Sequence, residues 1–232
     1  KIFKRIDDGK NTFIEFIEND LKIDSKNVAL CRLDREYKEL IKPINRDGVI
    51  GLINFDNSIG YKIYTRTLQF IFVTAALEIF NEATITIEHS LSGGVYGEIH
   101  KDMELSEEDL MKIKDRMLDI VNRDVVIKKI KMRKEEAIKI FKEYGMKDKV
   151  SLLEHVNLEF VNLYELDGRY DYFYGQMAYS TGIIKAFDLM YYEPGFIIRY
   201  PKKSNLERLK RFKEVKKLSQ IFRETEKWLN II

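Results

Sequence analysis

The chain has 232 residues, with 40 Lys and Arg against 38 Asp and Glu, a formal charge of +2, 45% hydrophobic and 34% charged residues. This composition excludes disorder and collagen-like repeats, provides for a substantial core in one large or two ordinary domains, and gives no global electrostatic case for nucleic acid. The single cysteine, Cys31, excludes an internal disulfide and a cysteine-built zinc site, and a lone reduced thiol suits a cytoplasmic protein.

Residues 1–5 alternate weakly, as a short strand does. Over 12–19, Phe13, Phe16 and Ile17 fall at helical spacing behind Asn11 as an N-cap. Residues 28–33 alternate as a strand, Arg35 and Glu36 turn the chain into 37–41, Pro43 and the cluster at 45–48 punctuate, and 49–55 is a further strand. A strand, a helix and several short strands in this space predict a compact α+β unit such as a β-grasp, ending in a loop at 56–60. A helix over 62–80 is apolar around most of its circumference, which predicts burial. Its apolar run at 68–80 contains Gln69, Thr74 and Glu78 and is too short to span a membrane, while residues 1–8 are charged with no apolar signal segment behind them. No membrane is therefore expected as a partner. The absent initial Met points to residues missing upstream, and the chain is open to further residues downstream.

Strands at 84–89 and 95–100 flank a turn at 90–94. Ser106 and Asp109 form a capping-box-like start to a helix carrying Leu110, Ile113, Met117 and Ile120 on one face. A strand at 125–132 alternates Ile with Lys, a helix at 134–144 stops at Gly145, and a short helix covers 148–154. Strands are expected at 159–166, 170–174 and 195–200, then a basic helix over 206–232 with Leu206, Leu209, Phe212, Val215 and Leu218 as its buried stripe and Trp228 near its end. The whole reads as α+β, divided into 1–58 and 59–232.

Few segments carry a chemical signature. Gly9–Lys10–Asn11 lacks the first glycine and the hydroxyl of a Walker A loop, and Gly93–Gly94–Val95–Tyr96–Gly97 joins two strands rather than opening a helix, so both read as turns. None of the three histidines, His89, His100 and His155, stands four residues from another His or Cys. His89, near Glu98 on the neighbouring strand, could move protons or serve as a structural hydrogen-bonder; His100 and His155 read as surface residues. Period two places Tyr170, Tyr172 and Tyr174 on one face, either a stacking wall or an ordinary sheet face. Ser180–Thr181–Gly182, Lys185, Asp188 and Tyr191–Tyr192 supply the small hydroxyls, cation and aromatics that ligand pockets use. From Arg199 to Lys217 nine Lys and Arg face two Glu, a local excess of seven that suits phosphates or a solvated helix face.

The run from Thr84 to Ile99, the pair Asp171–Tyr172–Phe173–Tyr174–Gly175 and Ser180–Thr181–Gly182, and Tyr191–Tyr192–Glu193–Pro194–Gly195 resemble the N-terminal region of bacterial uridine kinase-like nucleoside kinases, over most of residues 30–232. In that family this region looks like the TGS and second additional domains of threonyl-tRNA synthetase. The resemblance therefore implies a TGS-like β-grasp unit followed by an editing-domain-like α+β domain, ahead of a kinase domain that would bring ATP and Mg²⁺ and is absent here. The synthetase editing domain uses H-x-x-x-H on a helix and C-x-x-x-H on a later strand. Those positions fall on Arg66 and Phe70, and on Phe173 and Met177, so all four are replaced and hydrolytic editing is not expected.

Two readings follow from the resemblance. The first is a non-catalytic ligand-binding or regulatory region of a nucleoside kinase, acting on a kinase domain in cis and taking a nucleoside or nucleotide. Its pocket would use Arg66 or Lys185 for an anion, His89 and Glu98 for hydrogen bonds, Tyr96, Tyr172 and Tyr174 for stacking, and Ser90 and Thr181 as hydroxyls. The second is an RNA- or tRNA-binding module without editing activity, using the basic helix after Arg199. A dimerisation domain, giving a homo-oligomer, is the third. No catalytic residue, metal ligand set or cofactor of the chain's own is assigned.

Overall fold

The computed structural model describes residues 2–5, 11–91 and 93–211, with backbone only for 2–5. Three antiparallel sheets are organised around one long helix. Strands β1 (Ile2–Arg5), β2 (Val28–Leu33), β3 (Glu36–Lys38) and β4 (Gly48–Asn54) form the first, in the order β1-β4-β2-β3. A short helix, α1 (Phe13–Glu15), continues in wider turns over Phe16–Asp20 and buries Phe13, Phe16 and Ile17 against Cys31, Leu33 and Ile50. Thr12, not Asn11, caps it: the Thr12 hydroxyl accepts from the Glu15 amide while the Glu15 carboxylate accepts from the Thr12 amide at 2.7 Å, the reciprocal box that a Thr three residues before a Glu allows. Cys31 is fully buried and burial pushes its thiol up to about 12, which makes it an inert core residue.

Helix α2 (Ser58–Ile79) begins inside the stretch expected as a loop, because the Asn57 side chain accepts from the Ile59 amide at 2.9 Å and starts the helix there. It is buried from Gly60 to Leu77 on most sides, as its apolar circumference predicts. Ala29, Leu30 and Phe55 of the first sheet share its core, so strand β2 packs on α1 with one face and on α2 with the other. The second sheet, in the order β10-β11-β6-β5, contains the expected hairpin β5 (Thr84–Leu91) and β6 (Gly94–His100), then β11 (Gly195–Arg199) and β10 (Asp188–Tyr192). Helix α3 (Glu107–Asn122) packs on α2 and buries the four predicted residues Leu110, Ile113, Met117 and Ile120 behind the Ser106–Asp109 capping box.

The third sheet, β7 (Lys128–Arg133), β8 (Phe160–Leu166) and β9 (Arg169–Asp171), has α4 (Lys134–Glu143) and α5 (Lys147–His155) on one face, enclosing Ala137, Phe141, Leu153, Val161 and Leu163. Two expectations change here. The strand predicted over 170–174 ends at Asp171, so Tyr172 and Tyr174 leave the sheet; and residues 206–211 are turn and irregular chain, while the rest of the predicted basic helix lies outside the described residues. Among the described residues no helix is long and apolar enough to cross a membrane.

Where α2 starts, Gly60 approaches the first sheet so closely that a Cβ would stand 2.2 Å from the Asn54 carbonyl oxygen. Gly60→Ala is expected to lose about 1–3 kcal/mol to this overlap despite the better helix propensity of alanine, read as a lowered midpoint in thermal unfolding.

Candidate functional site

Beyond β9 the chain runs through 172–187 with little strand pairing, and α2 holds it. Arg66 donates from Nη1 to the Gln176 carbonyl at 2.6 Å, the Thr67 hydroxyl accepts from the Ala178 amide at 3.1 Å, and the Tyr64 hydroxyl donates to the Ala186 carbonyl at 3.1 Å. Phe70 and Phe173 meet edge to face at 5.1 Å, and Met177 is buried beside Thr67. Arg66, Phe70, Phe173 and Met177, the four positions that the resemblance singles out, therefore converge. Their chemistry is that of a packed wall with one desolvated guanidinium, which burial makes less basic than usual. Among the described residues no group of three or more His, Cys, Asp or Glu is placed to hold a metal ion.

Beside this wall lies a cleft of about 360 Å³, between α2, β5 and the turn joining α4 to α5. Gln69 and Val73 line it from α2, Thr84 and Thr86 from β5, and Lys149 and Asp171 from the third sheet's unit. Asp171 is almost wholly buried, accepts from its neighbour's amide, Tyr172 N, at 2.6 Å, and faces Lys149 Nζ at 3.1 Å. Burial raises its carboxyl above the ordinary carboxylate range, with Lys149 pulling the other way. Lys149 also donates to the Tyr172 carbonyl at 3.0 Å. Thr86 lines the opposite wall, and its hydroxyl is closed off from solvent with no hydrogen-bond partner among the described residues. The cleft thus offers a charged donor–acceptor pair with apolar walls around it.

The nine sequence candidates are spread over several places. Tyr96 is buried and donates to Glu98 at 2.8 Å, His100 lies 3.5 Å from the other Glu98 oxygen, and His89 stacks on Tyr96 and approaches Glu88. Glu98 thus takes Tyr96 and His100 as partners, while His89 lies beside Tyr96 and Glu88. Ser90 reaches the Tyr200 hydroxyl. Tyr172 packs on the α4–α5 core with its ring against exposed Tyr174. Thr181 is a buried structural clasp, donating to the Ile120 carbonyl at 2.8 Å and accepting from the Val125 amide at 2.9 Å. Lys185 is exposed and lines a different, open cleft with Lys203 and Asp56. Arg66 alone belongs to the wall beside the main cleft. Lys149 and Thr86 carried no sequence signal of their own; Asp171 did, as a carboxylate among tyrosines on the apolar side of a strand.

No protein-family model matches the chain. It is similar to threonine–tRNA ligases: 30% identical over 165 residues to that of Acetivibrio thermocellus, 29% over 166 residues to that of Clostridium tetani, and 27% over 167 residues to that of Syntrophotalea carbinolica. Each match covers 70–71% of this chain and 26% of the relative, so the chain spans about a quarter of the length of the curated relatives it matches. These similarities agree with the α+β architecture and favour the synthetase-derived reading; they lend no support to a nucleoside kinase parent.

Two outcomes follow. Thr181→Val should cost about 1–3 kcal/mol, since both backbone partners lose a buried bond, seen in chemical denaturation. Because the native carboxyl of Asp171 holds its proton to higher pH than the unfolded one, the native state binds more protons above the unfolded pKa near 4, and this residue's contribution makes stability fall as pH rises from there. Asp171→Asn is expected to remove that contribution, so the difference in melting temperature, variant minus wild type, should increase from about pH 4 towards neutrality.

Proposed function

We propose that the chain is an RNA-binding module on a synthetase-like scaffold, which holds the aminoacylated 3′ end of a tRNA in the cleft between α2, β5 and α5 without hydrolysing it. The observation that carries this reading is the Lys149–Asp171 pair in a ligand-sized cleft beside the four converged positions. An aminoacyl ester presents an ammonium, a carbonyl and a side chain within a few bonds. Asp171 suits the ammonium and Lys149 the carbonyl oxygen. With Arg66, Phe70, Phe173 and Met177 in the wall, no histidine or cysteine stands there to activate water, so the ester survives binding. The similarity to proteins named threonine–tRNA ligase supports RNA as the partner class. The kinase-linked reading, with a nucleoside ligand and with ATP and Mg²⁺ in a further domain, has no comparable support.

Binding of aminoacylated and uncharged tRNA, compared by filter retention, tests the proposal. Tighter retention of the aminoacylated form is expected, with Lys149→Ala and Asp171→Asn each reducing that preference about 10-fold or more, the value of hydrogen bonds to charged groups. Ester loss in the presence of the protein should match the uncatalysed rate. Equal retention of both forms, or accelerated hydrolysis, contradicts the proposal.

A further inference from the structure

The third sheet carries α4 and α5 on one face; on the other, Tyr164 and Leu166 are buried in the main core while the end at Phe160 and Asn162 is exposed. Ile130 and Met132 of β7 point to the α4–α5 side, so Lys129, Lys131 and Arg133 stand on the other, beside their β8 partners Tyr164, Asn162 and Phe160. These three cations are spaced about 6.6 Å apart along the strand, and β7 is the edge of its sheet. Phe160 is 36% exposed, with Lys131 Nζ 4.6 Å and the Arg133 guanidinium 5.6 Å from its ring centre. Among the described residues neither Lys131 nor Arg133 meets a carboxylate within ion-pair distance, whereas their neighbours Lys128 and Lys129 are paired with Glu165 and Glu39.

The same face continues into a polar cleft of about 480 Å³, lined by Lys129 and Gln176 on one side and by Tyr37, Lys38, Glu39 and Lys42 of the first unit on the other. Glu39 is taken up by Lys129 and Lys38 by Glu36, which leaves Lys42 as the cleft's unpaired cation among the described residues. Tyr37 is 45% exposed. Gln176 lines this cleft and Phe173 lines the candidate site, so the two openings flank one short stretch of chain, 173–176, whose three residue-to-residue steps span no more than about 11 Å.

We propose that the outer face of β7 and β8, with the adjoining Tyr37–Lys42 cleft, is a track for a single-stranded nucleic acid that leads to the candidate site. Unpaired cations at alternate strand positions contact successive phosphates, and Phe160 and Tyr37 offer rings to unstacked bases. An acidic protein would be served by the charges alone; the half-open aromatics set among them favour bases. The partner class rests on the RNA reading above, while the location rests on β7, β8 and the first unit.

Fluorescence anisotropy with a short labelled single-stranded RNA, an RNA duplex of the same length and a poly-glutamate peptide, at several salt concentrations, tests the track. The single strand should bind best, more weakly as salt rises. Lys131→Gln with Arg133→Gln should reduce its affinity at least about 10-fold at low salt and flatten the slope of log K against log salt by about 1.4. Phe160→Ala should weaken binding roughly 5- to 100-fold with the slope unchanged. Both variants are surface changes whose melting temperatures verify their folding. Wild-type affinity in the glutamine pair, equal affinity for the duplex, or preference for the acidic peptide overturns the track. Failure here is separable from failure of the pocket. Track variants should weaken aminoacylated and uncharged tRNA alike, whereas Lys149 and Asp171 variants should erase only the difference between them.

Discussion

The structure depends on a single helix supplying partners to a segment that has little ladder of its own. Residues 172–187 pass from the third sheet to the second through irregular backbone, whose amides and carbonyls would be costly to bury unpaired. Helix α2 meets that need from one side: Tyr64, Arg66 and Thr67, within one turn, bind the backbone at 185–186, 176 and 178. The helix can do so because it is itself immobilised, buried along its length between the first sheet, α3 and the second sheet. Its polar side chains thereby become fixed points rather than surface groups, and the walls of the main cleft inherit their positions from them.

That arrangement separates scaffold from chemistry. The geometry that brings two helix positions against two positions of a later segment does not depend on what the side chains are, provided they pack. Here they are a guanidinium, two phenyl rings and a thioether, and they satisfy the packing requirement through an edge-to-face ring pair and a buried sulfur contact. The polar groups that remain, Lys149, Asp171 and Thr86, lie on the other walls of the cleft. The same scaffold thus places a charge pair beside a packed wall, whatever chemistry the side chains bring.

The parts of this architecture legible in the sequence are those set by local rules. The apolar circumference of α2, the Ser106–Asp109 box, the stripe of α3 and the hairpin at 84–100 each depend on residues within one or two turns, and each is present. What escaped depends on partners far along the chain. Tyrosines at 170, 172 and 174 have perfect strand alternation, but pairing with β8 stops at Tyr164 to Asp171 although β8 runs back to Phe160, and the following carbonyls take side-chain partners instead, Tyr172 from Lys149 and Gly175 from Tyr164. Thr181 has the appearance of a ligand hydroxyl until Ile120 and Val125, distant in sequence, claim both of its bonding roles. His89 and Glu98 lie on adjacent strands, but the register shifts between Ile87 and Ser90, and the Tyr96 hydroxyl, two residues away on the same strand, donates to Glu98.

Net charge misleads for a related reason. A total of +2 averages over pairs that are spatially specific: Arg116 and Arg123 converge on Asp167, Lys26 on Asp124, Lys114 and Arg199 on Asp188. Acids consumed in such pairs cannot neutralise cations elsewhere, because attraction between exposed charges fades beyond a Debye length of about 8 Å at physiological salt. A balanced chain can therefore present a locally uncompensated face wherever its acids are spent internally. On the outer face of β7 the sheet's own geometry enforces this: alternation sends Ile130 and Met132 inward and so gathers Lys131 and Arg133 outward around Phe160. The quantity that decides whether such a protein meets a polyanion is the pairing of each cation, and that is fixed by the fold and not by the composition.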